Sequence, residues 1–221
     1  MTSTNPILTK PTDGPVSRYS NRPVSRLVSA LLAQVGVSPN GASYLSGAVG
    51  LLGALAFGRS RWRLGALMVH TSSILAGVDG EIARRTGRSS QFGDFLDTVL
   101  DRVVEYAALL GLIHGASRSS ERDPRFGGVL ALGGVFLLTT ASEKYRSTVH
   151  AGYPKRRLEP AFAYLTSGRD VRLFWTALAA VAAASHPRSM YWFLWSFATL
   201  THANAIIRLQ AVRRTLGQEQ N

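Results

Sequence analysis

Six of the chain's thirteen acidic residues fall between positions 79 and 105: Asp79, Glu81, Asp94, Asp97, Asp101 and Glu105. Asp97, Asp101 and Glu105 recur at every fourth position, so a helix places all three on one face. Asp79 closes the apolar stretch before them, and the short polar run RTGRSSQF folds the two helix ends together. That geometry brings Asp79, Asp97 and Asp101 towards one point. Arg84, Arg85, Arg88 and Arg102 are the counter-charges within the run, two fewer than the acids. Divalent cations would close the deficit. The chain has no cysteine, so the donors are oxygens, which suits Mg²⁺ or Mn²⁺. Mg²⁺ commonly bridges a few carboxylates to substrate phosphates, so the cluster predicts a phosphate-bearing ligand. A structural Asp/Arg network that caps helix ends is the alternative reading of the same residues.

The elements that must hold this cluster are apolar. Hydrophobic residues make up 46% of the chain and charged residues 17%, below the roughly 25% usual in soluble domains. Residues 1–20 are polar and rich in Pro, Ser and Thr, and read as a disordered N-terminal tail. Residues 21–215 read as one membrane domain, and 216–221 as a C-terminal tail. Near 21–37, Val24, Leu27, Val28, Leu31 and Leu32 recur at helical spacing beside Arg22 and Arg26. This pattern suits an amphipathic helix lying in the membrane interface, and equally an ordinary amphipathic core helix. Six apolar segments follow, at 42–58, 64–83, 94–114, 126–142, 171–186 and 189–208. Their lengths approach the about 17–20 residues a transmembrane helix needs, and their many Gly and Ala residues suit close helix packing. The fold class expected is therefore an all-α integral membrane protein of six transmembrane helices preceded by the interface helix, with a soluble bundle as the alternative.

The distribution of basic residues argues against the soluble bundle. With the N-terminus cytoplasmic and all six segments spanning, Lys10, Arg18, Arg22, Arg26, Arg84, Arg85 and Arg88 lie on the cytoplasmic side. So do the seven basic residues between 144 and 172 and those at the C-terminus, whereas the opposite face holds less than half as many. This is the positive-inside pattern, with both termini and the acidic cluster facing the cytoplasm across the cell membrane. The net charge of +12 then reports membrane orientation and anionic ligands. No nucleic-acid motif interleaves aromatics with these residues, so no nucleic-acid partner is expected. Carboxylates at such depth cost at least about 2.5–3.5 kcal/mol each, which favours a functional reading of them.

Taken together, Asp79-Gly80-x-x-Ala83-Arg84, then eight residues, then Gly93-x-x-x-Asp97-x-x-x-Asp101 resembles the signature of the CDP-alcohol phosphotransferases. The SPN before the first segment and SGRDVRLF before the fifth are similar to the family as well, so the resemblance covers roughly residues 20–215. It implies a membrane-embedded homodimeric enzyme that moves a phosphoalcohol group from a CDP-alcohol, CDP-diacylglycerol by expectation, to a polar alcohol acceptor and releases CMP. By resemblance, Asp79 and Asp97 ligand Mg²⁺ or Mn²⁺, and Asp101 assists as ligand or acts as the catalytic base. Gly80, Ala83, Arg84 and Gly93 would border the CDP moiety.

One position departs from the family pattern, which begins with an additional Asp where this chain has Ala76. Alanine cannot ligand a metal, and Ser72 and Ser73 one turn earlier carry no charge. Glu81, two residues past Asp79, points elsewhere on a helix. Weakened metal binding, lost catalysis and a changed residue all remain open, as does a non-catalytic protein that binds CDP-lipid. Lys144, Arg146, Arg169 and Arg172 flank the fourth and fifth segments and could hold a phosphate on the acceptor, although plain positive-inside charge explains any one of them. The stretch GVDGEIAR looks most like branches of the family that handle inositol phosphates. His70, His150 and His202 lack metal spacing and read as packing or interface residues.

Overall fold

A computed structural model describes residues 14–218 of the chain, whose regular elements are all helices, with no strand among them. The tail residues 1–13 and the last residues, 219–221, lie outside the described part. The segment just before residue 21 differs from the tail expected there: residues 15–21 are already helical and run directly into α1 (Arg22–Gln34). Then follow α2 (Pro39–Gly58), α3 (Trp62–Leu75), α4 (Val78–Thr86), α5 (Gln91–Ser119), α6 (Arg125–Val149), the single turn α7 (Lys155–Leu158), α8 (Arg169–Ala183) and α9 (Arg188–Gln218).

Local chemistry sets several of these ends. Ser38 caps α2 by accepting from Gly41 N at 3.1 Å, with Pro39 at the first helical position. Ser90 caps α5 in the same way through Gly93 N at 3.0 Å. Gly87, at φ 67°, closes α4 in the left-handed conformation that glycine adopts without strain.

The apolar segment expected to run unbroken over 64–83 is divided. It stops at Leu75 and restarts at Val78, with Ala76 and Gly77 between. The break is held from outside: the buried guanidinium of Arg22 donates to the Gly77 carbonyl at 3.3 Å and to Glu81 Oε1 at 2.9 Å. Ser25 and Ser29 donate to the two Glu81 oxygens at 2.8 Å each, so Glu81 is wholly buried against α1. A carboxylate buried from water needs such hydrogen-bond partners.

The helices α2 and α5 run in the same direction. Gly47 faces Leu100, Gly50 faces Val104, and a Cβ on Gly111 or Gly115 would run into the Ala54 or Phe57 carbonyl. Small residues thus let the two backbones approach closely. Phe57, Val69, Leu112, Val135, Leu173, Met190 and Leu194 form one apolar core from α2, α3, α5, α6, α8 and α9. The polarity of the remainder is inverted relative to a water-soluble bundle. Arg208, Glu159, Glu105 and Arg172 are buried, while Leu52, Leu55, Leu67, Leu110, Val129, Phe136 and Trp192 are exposed. Among the described residues, α2 and α6 are long and apolar enough to cross a membrane.

Candidate active site

The first turn of α4 carries Asp79 and Glu81, where the helix N-terminus favours negative charge. Glu81 turns towards α1, in keeping with its expected direction. Asp79 faces α2 and accepts from Ser43 Oγ at 2.6 Å. The facing end of α5 presents Asp94, Asp97, Asp101 and Glu105. Asp94 is exposed and pairs with Arg146 at 2.7 Å. Asp101 pairs with Arg169 Nη1 at 2.8 Å. Glu105 is buried and takes a two-point contact from Arg172 Nε (2.6 Å) and Nη2 (3.0 Å), with Arg102 at 3.1 Å. Such fork-to-carboxylate contacts are the geometry guanidinium provides best.

Two cavities meet at Asp97. The first is lined by Asn40, Ser43, Asp79, Gly80, Ala83, Arg84 and Gly93, and so collects every residue expected at the CDP moiety. A side chain on Gly93 would press on Asn40 Oδ1 and Ser90 Oγ, and one on Gly80 would press on Arg84, so the two glycines keep this space open. The second cavity lies on the other side of Asp97 and is lined by Arg22, Ala76, Gly77, Asp101, Lys155, Arg169 and Asp170. Ala76 therefore sits in the wall beside Asp97 and Asp101 and contributes only a methyl group. Burial pushes the Lys155 ammonium below the usual lysine range, against the opposing pull of Asp170. Arg169 spends Nη1 on Asp101, while its buried Nε and Nη2 have no hydrogen-bond partner among the described residues. Unpaired guanidinium donors beside a cavity suit an anionic ligand.

The four basic residues expected at an acceptor phosphate do not come together. Arg169 lines the second cavity, but Arg172 is committed to Glu105 and to the Thr166 carbonyl. Arg146 is held by Asp94, and Lys144 lines a groove between α5 and α6. Lys155, Asp170, Asn40 and Ser43 join the site without having been singled out by spacing. Only their positions beside helix starts hinted at it.

The donor set can be tested against a divalent cation. Asp79, Asp97 and Asp101 offer only carboxylate oxygen, as a hard cation requires. Among the described residues no three acidic or histidine side chains converge on one point, and Arg169 draws Asp101 aside. Asp79 and Asp97, which line one cavity, fit a cation held by two carboxylates and completed by substrate phosphate.

Comparison with known proteins gives the family and the fold. The chain belongs to the CDP-alcohol phosphatidyltransferase family, whose model matches residues 37–154. It is 34% identical over 202 residues to a bifunctional IPC transferase and DIPP synthase of Rubrobacter xylanophilus, an alignment covering 91% of this chain and 43% of the relative. A protein of the same description from Thermococcus kodakarensis is 35% identical, over 75% of this chain and 37% of its own length. The chain thus spans less than half the length of these relatives. In structure it is similar to the Mycobacterium tuberculosis phosphatidylinositol phosphate synthase with CDP-DAG bound, at a TM-score of 0.70 and 20% identity, covering 86% of this chain and 94% of that one. The same synthase in complex with manganese and citrate matches at a TM-score of 0.67 and 19% identity, over 85% and 88% of the two chains.

Proposed function

We propose that the protein transfers a phosphoalcohol group from a CDP-alcohol, CDP-diacylglycerol by preference, to the hydroxyl of a phosphate-bearing polyol such as an inositol phosphate, releasing CMP. The observation that carries this reading is the pair of cavities joined at Asp97, one lined by the residues that the family resemblance assigns to the CDP moiety and the other lined by Lys155 and Arg169. In the first, Gly80, Ala83, Arg84 and Gly93 border the CDP moiety. In the second, the unpaired donors of Arg169, with Lys155 beside them, hold the acceptor's phosphate and orient its hydroxyl. Asp101 removes the hydroxyl proton as the acceptor oxygen bonds the phosphorus bearing the alcohol. The bond from that phosphorus to the bridging oxygen breaks, and CMP leaves with it. Asp79 and Asp97, with Asp101 in support, would hold Mg²⁺ or Mn²⁺, which would supply positive charge against the diphosphate.

The surrounding architecture supports a membrane enzyme. The apolar face of α1 (Val24, Leu27, Leu31) is exposed and its polar face (Arg22, Ser25, Ser29) is buried, which suits a helix floating its apolar side in the interface. The exposed leucines along α2, α3, α5 and α8 suit six bilayer crossings, counted as α2, α3–α4, α5, α6, α8 and α9. The positive-inside charge pattern supports a site and termini facing the cytoplasm, and the family resemblance supports a homodimer. Ala76 favours a second reading, in which the same cavities bind CDP-lipid but transfer it slowly or not at all. CMP release from purified membranes, with Mg²⁺ or Mn²⁺ and a panel of acceptors, separates the two. Release that requires inositol phosphate and disappears in Asp97→Asn supports transfer. Release that survives both Asp97→Asn and Asp101→Asn refutes the mechanism.

A further inference from the structure

At the far end of the bundle a second kind of site is built between α2 and α5. The two helices run in the same direction, so both finish at the end remote from the carboxylates. From Asp97 to Arg118 the helix rises about 30 Å, close to the hydrocarbon thickness of a bilayer. A groove runs along this pair, walled by Leu51, Leu55 and Leu110 and floored by Ala54, Gly58 and Gly111. All three leucines are exposed. At the groove's end stand Arg59, Arg118 and His114.

The charges there lack counter-charges. Among the described residues neither Arg59 nor Arg118 has a side-chain hydrogen bond or ion pair, and both are exposed. The acids nearby in sequence are already committed, Glu121 to Arg188 and Asp123 to Arg125. The groove therefore joins an apolar trough of acyl-chain character to an uncompensated cationic end. A second copy docked by a two-fold axis would set this cationic end against, or close to, its own image, which like-charge repulsion disfavours.

We infer that the groove between α2 and α5 binds an anionic phospholipid of the leaflet opposite the carboxylate site, with an acyl chain along the trough and its phosphate on Arg59 and Arg118. Guanidinium matches phosphate oxygens in geometry and charge, and the leucine walls exclude water from the chain. Gly58 leaves the trough open at its floor: a Cβ there would meet only His114, at 3.8 Å, an ordinary contact. A larger side chain at this position would therefore project into the groove that Gly58 lines. The inference rests on the bilayer placement proposed above and is independent of catalysis.

The test uses the delipidated full chain in detergent, with lipid retention read by native mass spectrometry and CMP release measured in parallel. Dioleoylphosphatidylglycerol is expected to bind at least tenfold more tightly than dioleoylphosphatidylcholine. Arg59→Gln/Arg118→Gln and, separately, Gly58→Leu are each expected to weaken phosphatidylglycerol at least tenfold while CMP release is unchanged. Retention of that preference in a protein that releases no CMP leaves the groove standing and removes the catalytic reading alone. Equal binding of the two lipids overturns the inference, as does unchanged binding in Gly58→Leu. Displacement of phosphatidylglycerol by inorganic phosphate assigns the arginines to a free anion, and displacement by CDP-diacylglycerol assigns the lipid to the cytoplasmic cavity. Conversion of a dimer to a monomer by Gly58→Leu assigns the groove to a second copy. Each of these three results refutes the inference.

Discussion

Replacing Arg208 by Met tests whether the buried ionic network behind the site holds it together. Arg208 is fully buried on α9 and donates to Glu159 Oε1 at 2.7 Å, the Leu138 carbonyl at 2.8 Å, Ser142 Oγ at 2.7 Å and Ser167 Oγ at 2.9 Å. Its guanidinium also lies 4.6 Å from the centre of the Tyr153 ring. One side chain thus ties α6 and α9 to the 150–168 connection, which carries Lys155 and delivers Arg169 to the second cavity. Methionine keeps most of the volume but leaves the Glu159 carboxylate buried without the guanidinium that pairs with it, although Ser167 still donates to it at 2.9 Å. Removing one partner of a buried pair costs about 3–5 kcal/mol. For a domain of this size each kcal/mol moves Tm by about 2–4 °C, so Arg208→Met is expected to melt about 6–20 °C lower. Thermal unfolding in detergent, followed by tryptophan fluorescence, measures this. Adding Glu159→Gln to Arg208→Met removes the stranded charge and is expected to recover part of the loss. A loss below about 1 kcal/mol, typical of an exposed pair, refutes the reasoning. So does a double variant no more stable than Arg208→Met.

Three further outcomes follow from the same geometry. Ala76→Asp adds a carboxylate to the wall shared with Asp97 and Asp101, and is expected to tighten Mn²⁺ binding, read by electron paramagnetic resonance, and to raise CMP release; no change in either would show that position 76 does not face the cation. Arg169→Gln is expected to raise KM for a phosphorylated acceptor at least tenfold while leaving KM for the CDP-alcohol within twofold, since charge-assisted hydrogen bonds contribute about 1.5–3 kcal/mol. Glu81→Ala removes the carboxylate that Arg22, Ser25 and Ser29 share between α1 and α4 and is expected to cost about 3–5 kcal/mol and to make α1 sensitive to trypsin at Arg26. Unchanged proteolysis would show that α1 is held by other contacts.

The nearness of Asp79 to Asp97 was legible in the sequence because its information is local: the loop between α4 and α5 is short, and both residues line one cavity. The expected convergence of Asp79, Asp97 and Asp101 on one point is not found among the described residues, where Arg169 draws Asp101 aside. The apolar segments were legible for the same reason, since composition marks each helix without reference to its neighbours. The interruption at Ala76–Gly77 was not. A glycine in an apolar run is compatible with a continuous helix, and Arg22, which holds the break, lies 55 residues away. The fate of Arg172 was hidden likewise. Its charge pointed to phosphate, but its partner Glu105 lies 67 residues back on another helix. The dispersal of the four candidate acceptor cations shows the limit: sequence proximity to one membrane face does not bring side chains into one cavity.

The long separations within these buried pairs have a consequence for how the protein is made. Glu81 meets Arg22 as soon as α4 is synthesised, because its partner has already left the ribosome. Glu105 and Asp101 receive Arg172 and Arg169 only when α8 emerges, and Glu159 receives Arg208 only with α9. Through that interval Glu105 keeps its contact with Arg102 on the same helix, while Asp101 and Glu159 wait for the cations that pair with them. The order of translation therefore makes the N-terminal half of the cavity wall first and completes its charge last, so chains truncated before α8 should be those that membrane quality control removes.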